Sequence, residues 1–325
     1  MEIRPNIAPG CHPVLTGDYD LPTNAIDSMG QDLLKWIRNR TPGGIVTGRP
    51  RLGKTRAVRF LAKEIPSMLQ DKVSMFILNC NSYRFSSENS FFTDILLDLG
   101  HAVPTGQPSM KRQRICNFLI AEGMESTQRK VILLADEAQN WNKLEFKWLV
   151  DMYNQLDKHQ INLTVFLVGQ PELLEKKKSF IAEEMHQVVG RFMVQEHKFH
   201  GVQGLDDLAT CLASYDEESE FPPGSGWSFT RYFFPEQFSR GFRLADCAED
   251  LWEVFEYAHN QAGLGTRIEI PMQYIAVTVQ YVLTTFGADG SNVRRLSKSH
   301  WKEAAEESGY VLAERTFFNK KWDEN

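Results

Sequence analysis

Gly48-Arg49-Pro50-Arg51-Leu52-Gly53-Lys54-Thr55 is the stretch from which the rest of the chain can be read. It matches the spacing G-x-x-x-x-G-K-[ST], and the chemistry explains each position. The glycines let the backbone wrap phosphate oxygens with its N–H groups, the lysine reaches the β- and γ-phosphates, and the hydroxyl ligates Mg²⁺. A helix beginning at the lysine adds the positive end of its dipole. The required context is present: the apolar run Gly44-Ile45-Val46-Thr47 precedes the loop, and a helical pattern runs from Lys54 to about Met68. The expected nucleotide-binding residues are Gly48, Arg49, Pro50, Arg51, Leu52, Gly53, Lys54, Thr55 and Arg56, with ATP and Mg²⁺ as cofactors.

Working outward, apolar segments at residues 73–79, 131–135 and 163–168, and a fifth candidate at 192–199, alternate with helical patterns. Strands alternating with helices of this length predict a parallel sheet sandwiched by helices, an α/β P-loop fold. Beyond residue 200 the strand signals fade into acidic, aromatic-rich helical patterns. The expected division is an extended N-terminal arm (1–30), an α/β ATPase domain (31–200) and a small α-helical lid domain (201–325). Trp36, Trp141 and Trp148, at helical spacing from apolar residues, read as core.

Val131-Ile132-Leu133-Leu134-Ala135 is apolar on both faces and ends in Asp136-Glu137. Acids at the carboxyl tip of a buried parallel strand sit where ligands bind in open α/β sheets. Asp136 is expected to hold Mg²⁺, and Glu137 to orient or deprotonate the attacking water. The alternative is that both cap the next helix. Gln170, just past the next strand, can hold that water or sense phosphate; it can equally be a turn residue ahead of Pro171. Arg191, before the fifth strand segment, is the candidate for stabilising charge in a neighbouring protomer's site, or else an ordinary surface arginine. Arg243 is the candidate lid arginine, with Arg294 and Arg295 as alternatives. Lys54, Glu137, Gln170 and Arg191 thus form the expected catalytic set. Asp136 and Arg243 join the nucleotide-binding set, and Thr55 and Asp136 hold the metal.

The order of these parts resembles the AAA+ ATPases. The turn LVGQPEL at residues 167–173 is similar to the branch holding the transposition regulators TnsC, TniB and MuB and the secretion ATPase ExeA. Within it the chain looks most similar to TnsC proteins, which include those of CRISPR-associated transposons. The resemblance implies ATP hydrolysis and assembly into rings or helical filaments around double-stranded DNA. It also implies partners: a TniQ-type adaptor on one side and the transposase subunits TnsA and TnsB on the other. The alternative function is a nucleotide-switched scaffold or ExeA-like secretion ATPase with no DNA role. An initiator-type DNA loader would carry a winged-helix domain, for which residues 201–325 give no signal.

The composition sets outer bounds. The 325 residues are 42% hydrophobic and 24% charged, which excludes a disordered or disulfide-scaffold chain. No apolar run approaches the roughly 18 residues of a membrane span. A cytoplasmic protein with no membrane partner is expected. The five cysteines form no CxxC pair and the eight histidines no metal motif, so no metal besides Mg²⁺ is expected. The net charge of −6 argues against nucleic acid, but it averages +3 over residues 1–200 with −9 over residues 201–325. Local charge is what decides DNA binding. Phosphate contacts without sequence reading need exposed cations, and the resemblance places them in the segments around Arg84, Lys111 and Arg112. Solvated helix faces are the alternative at each.

Overall fold

The computed structural model describes residues 3–69 and 71–322. Its helices are α1 (Pro13–Thr16), α2 (Asn24–Arg38), α3 (Lys54–Met68), α4 (Glu88–Asp98), α5 (Pro108–Glu125), α6 (Lys143–Lys158), α7 (Glu172–Ala182) and α8 (His186–Phe192). After these come α9 (Leu205–Asp216), α10 (Phe229–Phe233), α11 (Pro235–Ser239), α12 (Ala248–Gln261), α13 (Met272–Phe286), α14 (Lys298–Glu307) and α15 (Tyr310–Trp322). The strands are β1 (Gly43–Thr47), β2 (Ser74–Asn79), β3 (Lys130–Asp136), β4 (Asn162–Gly169) and β5 (Gln195–Lys198). The chain forms two compact units. One comprises residues 28–50 and 54–199; the other, residues 1–27, 51–53 and 200–325.

The first unit holds the sheet, in the order β2-β3-β4-β1-β5 with every pair parallel. All seven residues of β3 are buried. Successive side chains point to opposite faces, so both faces of that strand are covered, as a parallel sheet requires. The register pairs Thr47 with Gly169 and Asn79 with Asp136, which brings four strand ends to one edge. Phe146 on α6 is fully buried, with Trp141 and Phe180 edge-on at 5.9 and 5.2 Å. Trp36 and Trp141 are buried and Trp148 packs against Phe91, so the tryptophans are core as expected.

The second unit is helical. Its core gathers Leu212, Phe255, Ile275 and Trp301 from α9, α12, α13 and α14. The buried Asp216 accepts the backbone N–H groups of Leu244 and Ala245 at 2.9 and 3.0 Å, fixing the 3₁₀ turn Leu244–Cys247 that leads into α12.

Residues 1–27 depart from the expected extended arm. Val14 is buried in this core, and the His12 ring lies among Phe221, Phe229, Tyr232 and Phe233 with centroids 4.6–5.4 Å away. Arg4 stacks on Tyr232 and pairs with Asp289. The sequence window 1–30 showed no period because its anchors are single side chains whose aromatic partners lie two hundred residues away.

His12 accepts the Val14 N–H through Nδ1 and so caps α1. Burial, reinforced by the Arg4 charge and opposed by Asp289, lowers it from 6.5 to about 4. Above pH 6.5 the ring is neutral folded or unfolded, so it adds no pH dependence there. As pH falls from 6.5 toward 4 the unfolded chain takes up a proton the folded chain resists, and stability is lost. His12→Asn retains a capping oxygen and cannot titrate. Its melting temperature should fall less steeply than wild type over that window; parallel curves would contradict the burial argument.

Candidate active site

Carboxyl ends of parallel strands are the natural place for a ligand, because loops and helix N-termini converge there. The site is built on β1, β3 and β4. Leaving β1, the chain turns through Gly48, whose N–H donates to the Gly169 carbonyl at 3.2 Å and ties the loop to the end of β4. Gly48 is buried; Arg49 and Pro50 are half-buried. Gly53 has φ +105°, a conformation that favours glycine, and α3 begins at the next residue. Arg56 is half-buried in the first turn of α3.

Lys54 is 5% exposed and its ammonium donates to the Gly48 and Arg49 carbonyls at 2.7 and 2.9 Å. Burial lowers its pKa, while the negative charges of Glu137, Asp136 and Glu172 hold it up. A cation desolvated this way, with carbonyls as its hydrogen-bond partners, is suited to being claimed by an anion. The Thr55 hydroxyl lies close enough to the Asp136 carboxylate to favour its charged form. Asp136 is 4% exposed, and burial raises its pKa against the opposing effects of Thr55 and of the Glu137 N–H, which donates to it at 3.0 Å. Hydroxyl and carboxylate oxygens meeting here form a hard-oxygen set of the kind Mg²⁺ prefers, with few protein ligands. The donor chemistry therefore fits the expected metal. Among the described residues there is no cluster of three or more His, Cys, Asp or Glu side chains that would form a separate metal site.

Glu137 follows at φ 55° and ψ 37°, the left-handed region, where a non-glycine residue costs about 1 kcal/mol or more. Its Oε2 accepts the amide of Gln139 at 2.5 Å and that of Gln170 at 3.3 Å. Glu137 does occupy the N-cap position of the 3₁₀ turn Ala138–Asn140, but its side chain makes no cap hydrogen bond there, and the α6 cap is Asn142, boxed with Glu145. Gln170 does lead into α7 through Pro171 as a turn residue, yet its side chain also reaches the Glu137 carboxylate.

The remaining expected residues have intramolecular partners. Arg191, near the end of α8, donates to Asn154 at 3.0 Å and lies over the Tyr153 ring. Arg243 donates to the Phe238 and Phe242 carbonyls and stacks on Phe238 at 3.8 Å. Arg51 belongs to the helical unit; its guanidinium meets the Tyr274 hydroxyl, and its carbonyl accepts the Gln273 N–H. Leu52 is buried. Arg84 is exposed in the loop after β2, over the ring of Phe85, which is 75% exposed. Lys111 is 4% exposed: its ammonium donates to Asn89 and Thr93 at 2.8 and 2.6 Å, joining α5 to α4. That is a structural task inside the unit, not the exposed position a phosphate contact needs. Arg112 is half-buried and 3.8–3.9 Å from Glu88 and Asp151.

Sequence reasoning missed Gln139 and Tyr274. The available signal for Gln139 was the amide pair Gln139-Asn140 two residues after the acids. Tyr274 carried no local signal, since its partner is two hundred residues away.

Residues 37–176 match the family model described as AAA domain. A comparison with curated protein sequences returns no match. Among solved structures, the Aeropyrum pernix ORC2 protein, described in ADPNP-ADP complexes, aligns over 91% of this chain and 71% of its own at 12% identity and a TM-score of 0.57. Aeropyrum pernix ORC1 in complex with DNA aligns over 94% and 87% at 15% identity, with a TM-score of 0.46. Domain III of the Thermotoga maritima replication initiation protein DnaA aligns over 94% and 99% at 12% identity, TM-score 0.48. The fold is the AAA+ P-loop fold, with a five-strand parallel sheet.

Because burial disfavours the Asp136 anion, the protein without nucleotide bears a cost at neutral pH that disappears below the carboxylate range, where the group is protonated folded or unfolded. Asp136→Asn should therefore raise the melting temperature of the nucleotide-free protein at pH 7 by about 1–3 °C. The gain should vanish near pH 3. A lowered melting temperature at pH 7 would show that the carboxylate is a net stabiliser.

Proposed function

We propose that this chain is an ATP-hydrolysing AAA+ regulator that assembles on double-stranded DNA. Following its resemblance to TnsC, we propose further that it links a target-selection complex to a transposase. The observation that carries the nucleotide part is the meeting of the buried Lys54, Asp136 with Thr55, and Glu137 at the carboxyl edge of one parallel sheet. In this reading Lys54 and the loop N–H groups bind the phosphates, while Thr55 and Asp136 hold Mg²⁺. Bound Mg-ATP would supply the scissile phosphoanhydride and the metal's charge neutralisation. Glu137 accepts a proton from the attacking water, and Gln170 helps to orient it. Arg191 is the proposed arginine for a neighbouring protomer, and would have to exchange Asn154 and Tyr153 for that role. Arg243 is proposed as the lid arginine on the resemblance alone.

The DNA part is supported by the loop after β2, where Arg84 is exposed beside Tyr83 and Phe85. An exposed cation among aromatic side chains can contact phosphates without reading sequence. Arg112 can add to this; Lys111 is committed to Asn89 and Thr93. The similarity in fold to an ORC protein makes an initiator-type loader the reading to set against ours. Among the described residues the helical unit has one isolated bridge, Val202 with Ile270, and no named strand. No helix of the described residues is long and apolar enough to cross a membrane.

Glu137→Gln should retain ATP binding, lower turnover by at least about 100-fold, and trap DNA-bound oligomers visible by sedimentation or electron microscopy. Arg84→Glu should weaken duplex binding equally across sequences and flatten its salt dependence by about one unit of slope. A monomeric Glu137→Gln with ATP and DNA would refute the assembly reading. Unchanged DNA affinity in Arg84→Glu would remove the proposed contact.

A further inference from the structure

Glu137 sits on a backbone conformation that does not favour it, so something must hold its carboxylate in place. Gln139, two residues on in the same turn, does this with both ends of its amide. Its Nε2 donates to Glu137 Oε2 at 2.5 Å, while its Oε1 accepts the backbone N–H of Gln170 at 3.0 Å. Gln170 closes the ring by donating from its own Nε2 to the same Glu137 oxygen at 3.3 Å. Both donors address Oε2, and Oε1 receives neither. A carboxylate held through one oxygen is fixed in direction and can present the other to a water.

An independent observation lies at Gly169. A Cβ built on that residue would stand 2.3 Å from Gln139 Oε1 and 3.4 Å from the Gln139 backbone nitrogen. Its φ is not in the left-handed region, so glycine is not needed there for backbone conformation. The close atom is the far end of a flexible side chain. An alanine would therefore push the amide away while the strand end keeps its path.

We propose that Gln139 is a positioning residue that locks Glu137 and Gln170 into one frame, and that residue 169 is glycine so that this amide can enter. The inference rests on the reading of Glu137 as the group that activates water. It goes beyond it by giving the setting of that group to a second residue, which holds it through its side-chain amide. Gln139 bridges the turn after β3 to the turn after β4, so a shift of Gln170 pulls directly on the amide that holds Glu137.

A double-mutant cycle on the full chain tests this, with ATP turnover and equilibrium binding of Mg-ATP measured in wild type, Gln139→Ala, Gly169→Ala and the double variant. Each single change should lower kcat about 10- to 100-fold, the usual range for a positioned acid–base group, with KM and nucleotide affinity within about two-fold. The double variant should be no slower than Gln139→Ala, because the alanine at 169 then has no amide to displace. Multiplying losses would mean that Gly169 acts independently of Gln139 and would overturn the proposal, as would a Gln139→Ala whose kcat matches wild type. Circular dichroism and the retained nucleotide affinity separate loss of positioning from loss of fold; a Gln139→Ala that loses affinity as much as turnover also counts against it. Wild type with no turnover, or Glu137→Gln as active as wild type, would instead refute the underlying reading of Glu137.

Discussion

A lysine ammonium buried beside carboxylates is the constraint around which the sheet edge is arranged. Lys54 is held by two carbonyls of its own loop and by the charges of Glu137, Asp136 and Glu172, which come from the ends of β3 and the start of α7. Desolvating a cation is costly unless charge and hydrogen bonds offset it. The offset is available only if β1 and β3 end at the same edge with β4 between them, which is what the strand order provides. The sheet order, the loop and the acids are therefore one arrangement. The offset is incomplete: a lowered Lys54 and a raised Asp136 are the signs of a site whose charges lie out of water.

Around that charge cluster lies a second layer made of neutral amides. Gln139, Asn140 and Gln170 tie strand-end turns together without adding charge: Asn140 donates to the Cys80 carbonyl at 2.9 Å, and Gln139 and Gln170 both donate to Glu137. Amides can brace a carboxylate from one side and a backbone N–H from the other. Their role is geometric, which suits a group whose task depends on direction. A carboxylate on a left-handed turn needs such bracing, since the local backbone alone would relax elsewhere.

The parts legible in the sequence are those whose signal is local. Residues 48–55 name their own chemistry, and the wholly apolar run 131–135 followed by two acids locates the strand and its tip. The helical pattern from Lys54 to about Met68 coincides with α3. What was not legible depends on distant pairs. His12 reads as a lone histidine in an irregular segment until its four aromatic neighbours from residues 221–233 are known. Lys111 reads as part of a basic cluster with Arg112 and Arg114, yet Asn89 and Thr93 draw it into the interior. Arg114 donates to the Val103 carbonyl in the same way. Charge counting sees three cations here, whereas their partners show that Lys111 and Arg114 serve internal contacts and that Arg112 lies beside Glu88 and Asp151; Arg84, in the loop after β2, is exposed. The same limit applies to the total of −6: the distribution of charge says more than its sum.

The central claim is that the Lys54–Asp136–Glu137 cluster hydrolyses ATP in an assembly formed on DNA. The most direct measurement is ATP turnover per protomer as protein concentration is raised, with and without duplex DNA of unrelated sequences. The account predicts that turnover per protomer rises steeply with protein concentration, that any duplex shifts the rise to lower concentration, and that added salt reverses the shift. Turnover per protomer that is independent of protein concentration and unaffected by DNA would contradict it.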